Sequence, residues 1–228
     1  KEVPSPNYDY NANKLAKRYK KAIRDIEKEL KALPIGDLRR AHARAVLSEV
    51  AKTLKTVNKE CEAWVNENIP KSAKDGVART IVSLGEAKTI EEALKIAKFN
   101  RMNKTMVDAI IADTYTDLLA VTQNVDHKTR AAVRKAVSES MRANMTTSVT
   151  GRKTINADTL DKIRATLDSA TSTGIIDAAG RRWKPEVYVD MVTRTKLMQT
   201  HIEASINEAI EREVYYGVVS SHNARDAC

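Results

Sequence analysis

The side chains able to do chemistry at neutral pH are few in this chain and badly spaced for it. The histidines are His42, His127, His201 and His222, and the cysteines are Cys61 and Cys228. No pair of histidines stands three or four residues apart on a helix, so the spacing offers zinc or iron no ready set of converging ligands. His222 and Cys228 are the one close pair, and packing is the role expected of them. The carboxylates Glu91 and Glu92, or Glu211 and Glu213, lie in stretches crowded with other charges. A catalytic acid–base pair needs a desolvated cleft, so these read as solvated faces. There is no nucleophile elbow, no phosphate-cradling glycine loop and no dinucleotide fingerprint. The expectation is a protein that is not an enzyme, with no catalytic residues, no metal ligands and no cofactor.

Cations are the better lead. The formal net charge is +9, spread unevenly. Residues 1–70 carry 15 basic and 10 acidic side chains, residues 71–126 carry 8 of each, residues 127–184 carry 12 and 5, and residues 185–228 carry 4 and 7. Lys128, Arg130, Arg134, Lys135 and Arg142 fall on one candidate helix, followed by Arg152 and Lys153 in a loop rich in hydroxyls. Arg130, Arg134 and Ser138 share a face because residues four apart align on a helix. Such a face can meet phosphates without reading bases, or pair with acidic helices. No aromatic side chains stand nearby to stack on bases, which argues against single-strand recognition. The candidate helices near 90–122 do not suit a helix-turn-helix reader, since Asp108, Asp113 and Asp117 would be repelled by a phosphate backbone.

The elements that must carry these residues read as helices. Leu15, Tyr19, Ala22, Ile26, Leu30 and Leu33 are spaced by three and four, one face of an amphipathic helix that Pro34 ends. Leu47, Val50, Leu54, Val57, Cys61 and Trp64 continue the spacing in a second helix capped by Asp37, and the two form a helical hairpin over 11–68. Pro70 is expected to close that unit, with a shorter helix near 72–84 ended by Gly85. Thr89 to Glu92 has the form of a capping box. Asn103 then caps a helix with Met106, Ile110, Thr114, Leu118 and Val121 on its stripe. Asp126 is expected to cap another over 127–145, and Asn156 or Asp158 one more that ends near Ser169. Ile175 to Trp183 can fold as two short strands, with Gly180 free to take positive φ. Pro185 suits the first turn of a last helix whose stripe is Tyr188, Met191/Val192, Thr195, Met198, Ile202, Ile206 and Ala209/Ile210, extending to about Tyr216.

Composition agrees with that outline. Aromatics are 4% of the chain against 42% hydrophobic residues overall, and there are seven glycines and five prolines. A core of Ala, Ile, Leu and Val suits closely packed helices better than a β-sandwich. No apolar run is long enough to span a membrane. Two distant cysteines make no disulfide framework, and Cys61 falls on an apolar stripe where a buried thiol is expected. The fold class is mainly α: an extended helical protein with an N-terminal helical hairpin, a short β-hairpin near 175–183 and a long C-terminal helix. The organisation expected is an extended arm at 1–10, the hairpin at 11–69, a helical middle region at 70–170, and a strand pair with the long helix at 171–228.

The order of residues in the last third resembles the phage minor capsid family, the head-morphogenesis proteins associated with the portal. The resemblance rests on Asp177, Gly180, Arg181 and Trp183, then Tyr188, Met191, Arg194 and Thr195, then Ser221, His222, Ala224, Arg225 and Cys228. Thr116 to Ala120 is similar to the family's middle region. The family pattern runs on past the last of these into a segment with Trp, Gln and Gly, so the natural protein is expected to continue beyond Cys228.

Physically the motif reads as scaffolding. Arg181 and Arg182 can cover the Trp183 ring, and Arg194 can tie to Asp177 or Asp190. The resemblance implies a structural protein of a tailed phage, present in several copies per particle. Its partners would be the portal protein and capsid proteins, met during head assembly. It would sit in the virion, in the capsid interior near the portal, after assembly in the host cytoplasm, with non-specific contact to packaged double-stranded DNA. Two other readings remain open: a phage-type anchoring module for an effector or toxin domain beyond Cys228, and a non-specific DNA-binding helical protein.

Overall fold

The structure, a computed structural model, describes residues 5–147, 157–172, 175–176 and 180–216. It is mainly α, as the periodicity predicts: α1 Asp9–Lys31, α2 Arg40–Ser83, α3 Ile90–Ile96, α4 Arg101–Thr147, α5 Ala157–Ser172 and α6 Pro185–Glu211, with a 3-10 turn at Ile35–Asp37. The strands β1 Ile175–Ile176 and β2 Arg182–Trp183 pair antiparallel, Ile175 opposite Trp183 and Ile176 opposite Arg182. Gly180, between them, takes φ +77°, the left-handed backbone that a side chain would oppose.

The chain divides into two compact units. The larger holds Asn7–Asn68 and Ile111–Lys196; the smaller holds Lys1–Pro6, Ile69–Ile110 and Leu197–Cys228. The helices α2, α4 and α6 contribute residues to both.

In the larger unit the expected helical hairpin is present. Trp64 Nε1 donates to the Asn11 carbonyl at 3.1 Å, and the Tyr19 hydroxyl donates to the Leu118 carbonyl at 3.1 Å. The core is aliphatic: Ile23, Ile26 and Leu30 of α1 meet Val50 and Leu54 of α2, Val125 and Val133 of α4, and Ile163 and Leu167 of α5. Some polar groups inside it are paired, while the buried hydroxyls of Thr114 and Thr129 have no hydrogen-bond partner. The Ser140 hydroxyl donates to the Ile35 carbonyl at 3.1 Å, and Thr171 donates to Glu27 at 3.1 Å. Lys196 bridges the carboxylates of Asp113 and Asp117.

In the smaller unit, α2 and α6 approach through small residues. The Ser72 hydroxyl donates to the Leu197 carbonyl at 2.6 Å, and that of Ser205 to the Gly76 carbonyl at 3.1 Å. Both helices stop in the same way. At the end of α2, Glu86 N–H reaches the Ile81 carbonyl and Gly85, at φ +81°, reaches Val82; at the end of α6, Val214 N–H reaches Ala209 and Glu213, at φ 57°, reaches Ile210. These are Schellman closures, which satisfy carbonyls the last helical turn leaves free. An ion pair from Arg212 to Glu86 ties the two ends together.

Several local expectations yield to tertiary packing. Pro70 does not end a helix, because α2 runs through it. Val65, Ile69, Ala73 and Val77, four apart, are all fully buried, and that burial outweighs a proline cost of about 3 kcal/mol. The carbonyl left without a donor belongs to Asn66, an exposed residue, where water can reach it. Nor does Asp126 begin a helix. It lies inside the 47-residue α4 and accepts from Arg130 at 2.7 Å.

The cap of α4 is Asn100, whose Oδ1 accepts from Asn103 N–H at 2.7 Å. Asn103 is buried instead, accepting from Asn207 at 3.1 Å. The helix α2 begins at Arg40, later than a cap at Asp37 would set it, because Ile35–Asp37 form the 3-10 turn; the Asp37 side chain lies outside the described residues. Asn156 also lies outside them, while Asp158 sits in the first turn of α5. The Thr89 cap is present, accepting from Glu92 N–H at 3.2 Å, with the Glu92 carboxylate accepting from Lys88 N–H at 3.0 Å. The last helix stops at Glu211 rather than near Tyr216.

The largest departure is in which face of α6 is buried. Of the stripe predicted for its core side, only Val192 is buried. The buried residues are Pro185, Val189, Val192 and Thr193 in the larger unit, and Leu197, Thr200, His201, Ala204 and Glu208 in the smaller.

Candidate functional site

Of the basic residues singled out on sequence grounds, Lys128, Arg130, Arg134, Lys135 and Arg142 fall on one continuous helix, α4. Arg134, Lys135 and Arg142 are on its solvent face, together with Ser138. Arg130 is turned aside into its pair with Asp126. Lys135 reaches Glu139 only loosely, at 3.9 Å. Partial burial holds the Lys128 amine below its usual range, and the Arg182 guanidinium beside it adds to the effect. Lys128 and Arg182 are therefore near enough to repel each other. Arg152 and Lys153 lie outside the described residues.

A denser cationic surface lies on α1 and was not singled out from the sequence. Residues 14–24 hold Lys14, Lys17, Arg18, Lys20, Lys21 and Arg24 with no acid among them. All six are exposed, because Leu15, Ala16, Tyr19, Ala22 and Ile23 take the buried face. Lys14, Lys17, Arg18 and Lys21 line an open groove of about 710 Å³ with Asn13 and Arg194. Arg18 also reaches Glu60 at 3.5 Å, and Arg194 holds Asp9 at the edge of the groove. The signal was legible as a run of six cations in eleven residues. The acids that follow Arg24 offset it in the charge of residues 1–70 as a whole. Exposed lysines on a helix make a mobile field of positive charge, suited to phosphates or carboxylates held loosely and without base reading.

The residues of the sequence motif are brought together in part. The Arg181 guanidinium lies 5.5 Å from the centroid of the Trp183 ring, a cation–π contact. Arg194 Nε donates to Asp190 at 2.8 Å, the i,i+4 tie the spacing allows, and the same guanidinium reaches Asp9. Those carboxylates raise the Arg194 pKa, the Asp190 hydrogen bond being the main cause. Tyr188 and Met191 are half-buried and Thr195 is exposed. Asp177, Ser221, His222, Ala224, Arg225 and Cys228 lie outside the described residues.

Among the described residues, no group of three or more His, Cys, Asp or Glu is placed to hold a metal ion, and no helix is long and apolar enough to cross a membrane. His201 is buried with Nδ1 3.3 Å from Asp75, whose carboxylate also accepts from Arg79 at 2.9 Å. Cys61 is a buried free thiol pushed up to about 11, chiefly by burial. The arrangement can bind through charge and apolar surface.

Residues 14–228 match the family described as Phage minor capsid protein 2. No curated protein and no solved structure matches the chain.

Proposed function

The chain belongs to the phage minor capsid protein 2 family and is a structural protein of the phage particle, and on that premise we propose that it docks at the portal and inner shell during head assembly. In this reading it breaks no covalent bond and works by presenting helix faces to larger partners. The observation that carries it is the exposure of its positive charge: six exposed cations in residues 14–24, and exposed Arg134, Lys135 and Arg142 on α4. Surfaces of this kind suit acidic faces of shell proteins and the backbone of packaged duplex DNA.

The docking half is tested by making heads in cells that lack the portal gene. The expected result is heads depleted of this chain; heads retaining it at the normal level would refute portal docking. The DNA half is tested by titrating salt into complexes with random-sequence duplex. A surface that neutralises several phosphates makes log K fall with log salt at a slope of about −0.9 per phosphate. Replacing Lys14, Lys17 and Lys21 by Gln should reduce the slope by up to about 3. A flat salt response would remove DNA from the proposal.

A further inference from the structure

The smaller unit turns its most apolar ridge outward. Met198, Ile202, Ile206 and Ile210, four apart along α6, are 37%, 48%, 52% and 42% exposed. The inward face of the same stretch carries Thr200, His201, Ala204 and Glu208. A helix with one surface to pack against buries its more apolar side. Here the order is reversed, because the close approach of α2 at Gly76 admits only small or hydrogen-bonded side chains opposite it. Beside the ridge, Met102, Met106 and Ile110 of α4 form the floor of an open groove of about 570 Å³, with Ile206 at its edge. Charge divides along the same line. Arg101 of α4 and Glu203 of α6 both line the groove, so it carries one charge of each sign.

We propose that this face binds a second copy of the chain about a two-fold axis, the α6 ridge of each protomer seated in the groove of the other. The argument for a second copy is that one patch holds both halves of a fit. A two-fold contact uses the same surface twice and so must be complementary to itself. Ridge and groove lie side by side here, and Arg101 of one copy can meet Glu203 of the other. A partner bearing a single sign of charge would satisfy one of these two side chains and be repelled by the other. This inference does not depend on portal docking.

The test is sedimentation equilibrium of the whole 228-residue chain. The expected result is a monomer–dimer equilibrium across roughly a hundredfold range of concentration. Ile206→Glu should weaken it by about thirtyfold or more, as losing a central interface side chain does, with an unchanged melting temperature at concentrations where both chains are monomeric, because the position faces solvent in the monomer. Arg101→Glu and Glu203→Arg should each weaken the dimer, and the double variant should restore it, which general stickiness would not do. A chain that stays monomeric, or a dimer indifferent to Ile206→Glu, would overturn the proposal. So would a monomer that uses Ile206 only to bind separately purified portal protein.

Discussion

Gly76 of α2 lies directly against the backbone carbonyl of His201 of α6: a Cβ added to the glycine would stand 2.3 Å from that oxygen. In an isolated helix, exchanging glycine for alanine stabilises by about 1 kcal/mol. The obstacle here is backbone, which cannot swing away as a side-chain tip can. Gly76→Ala should therefore destabilise the chain, by about 1–3 kcal/mol in a urea titration, the range for overfilled packing. Gly36, with nothing within 4 Å of its added Cβ, is the control, and its alanine variant should be close to neutral. A stabilised Gly76→Ala would show that α2 and α6 do not meet at this distance in solution.

Pro70 inside α2 makes the opposite prediction. The ring removes one helix hydrogen bond and crowds the preceding turn. Pro70→Ala should raise unfolding stability by about 1–3 kcal/mol, seen as a higher denaturant midpoint at unchanged m-value. Lower stability would mean that burial of Ile69 and Ala73 depends on a bend at the proline.

Arg212 accompanies a nearly buried carboxylate. Its Nε donates to Glu208 at 2.8 Å, and its other end pairs with Glu86. These contacts, the Glu86 hydrogen bond foremost, raise the Arg212 pKa. Arg212→Met leaves Glu208 charged, buried and unpaired, and should cost about 3 kcal/mol at neutral pH. The loss should shrink when Glu208 is also changed to Gln. Equal losses with and without Glu208→Gln in a double-mutant cycle would show that the two side chains are not coupled.

The pairing of Tyr19 with Cys61 predicts alkaline sensitivity. Burial lifts the Cys61 thiol from its ordinary value of 9.0 to about 11 and pushes the Tyr19 phenol above its normal range. Both groups hold their protons more tightly folded than unfolded. Their contribution to stability is whole below the unfolded pKa and is lost as pH rises through the folded one, so stability should fall above pH ~9. The Cys61 share is at most about 1.4 kcal/mol per pH unit, and Cys61→Ala should remove it. In a Cys228→Ser chain, iodoacetamide at pH ~8 should modify Cys61 only after denaturant is added. Rapid alkylation of the native chain would contradict the burial.

Much of the molecule was legible locally. The stripe from Leu15 to Leu30 and that from Val50 to Trp64 are buried, so the hairpin follows from three-and-four spacing alone. The Thr89 cap and the positive φ of Gly180 follow from chemistry within four residues. Pro70 and Asp126 misled because a break or a cap is a local cost of one to a few kcal/mol, which distant packing can outweigh. The cationic groove was legible only in part: residues 14–24 supply the charge, but Arg194 joins it through the fold.

The helices, their amphipathic periods and the net positive charge are properties of the chain itself, since each depends on side chains within a turn or two of one another. Which side of α6 is hidden is different in kind. Ile202, Ile206 and Ile210 are more apolar than Thr200, Ala204 and Glu208, and by hydrophobicity they belong inside. Tertiary structure decided otherwise because Gly76 brings α2 in so close that small or hydrogen-bonded side chains stand opposite it. The ridge left outside exists only once those helices have met.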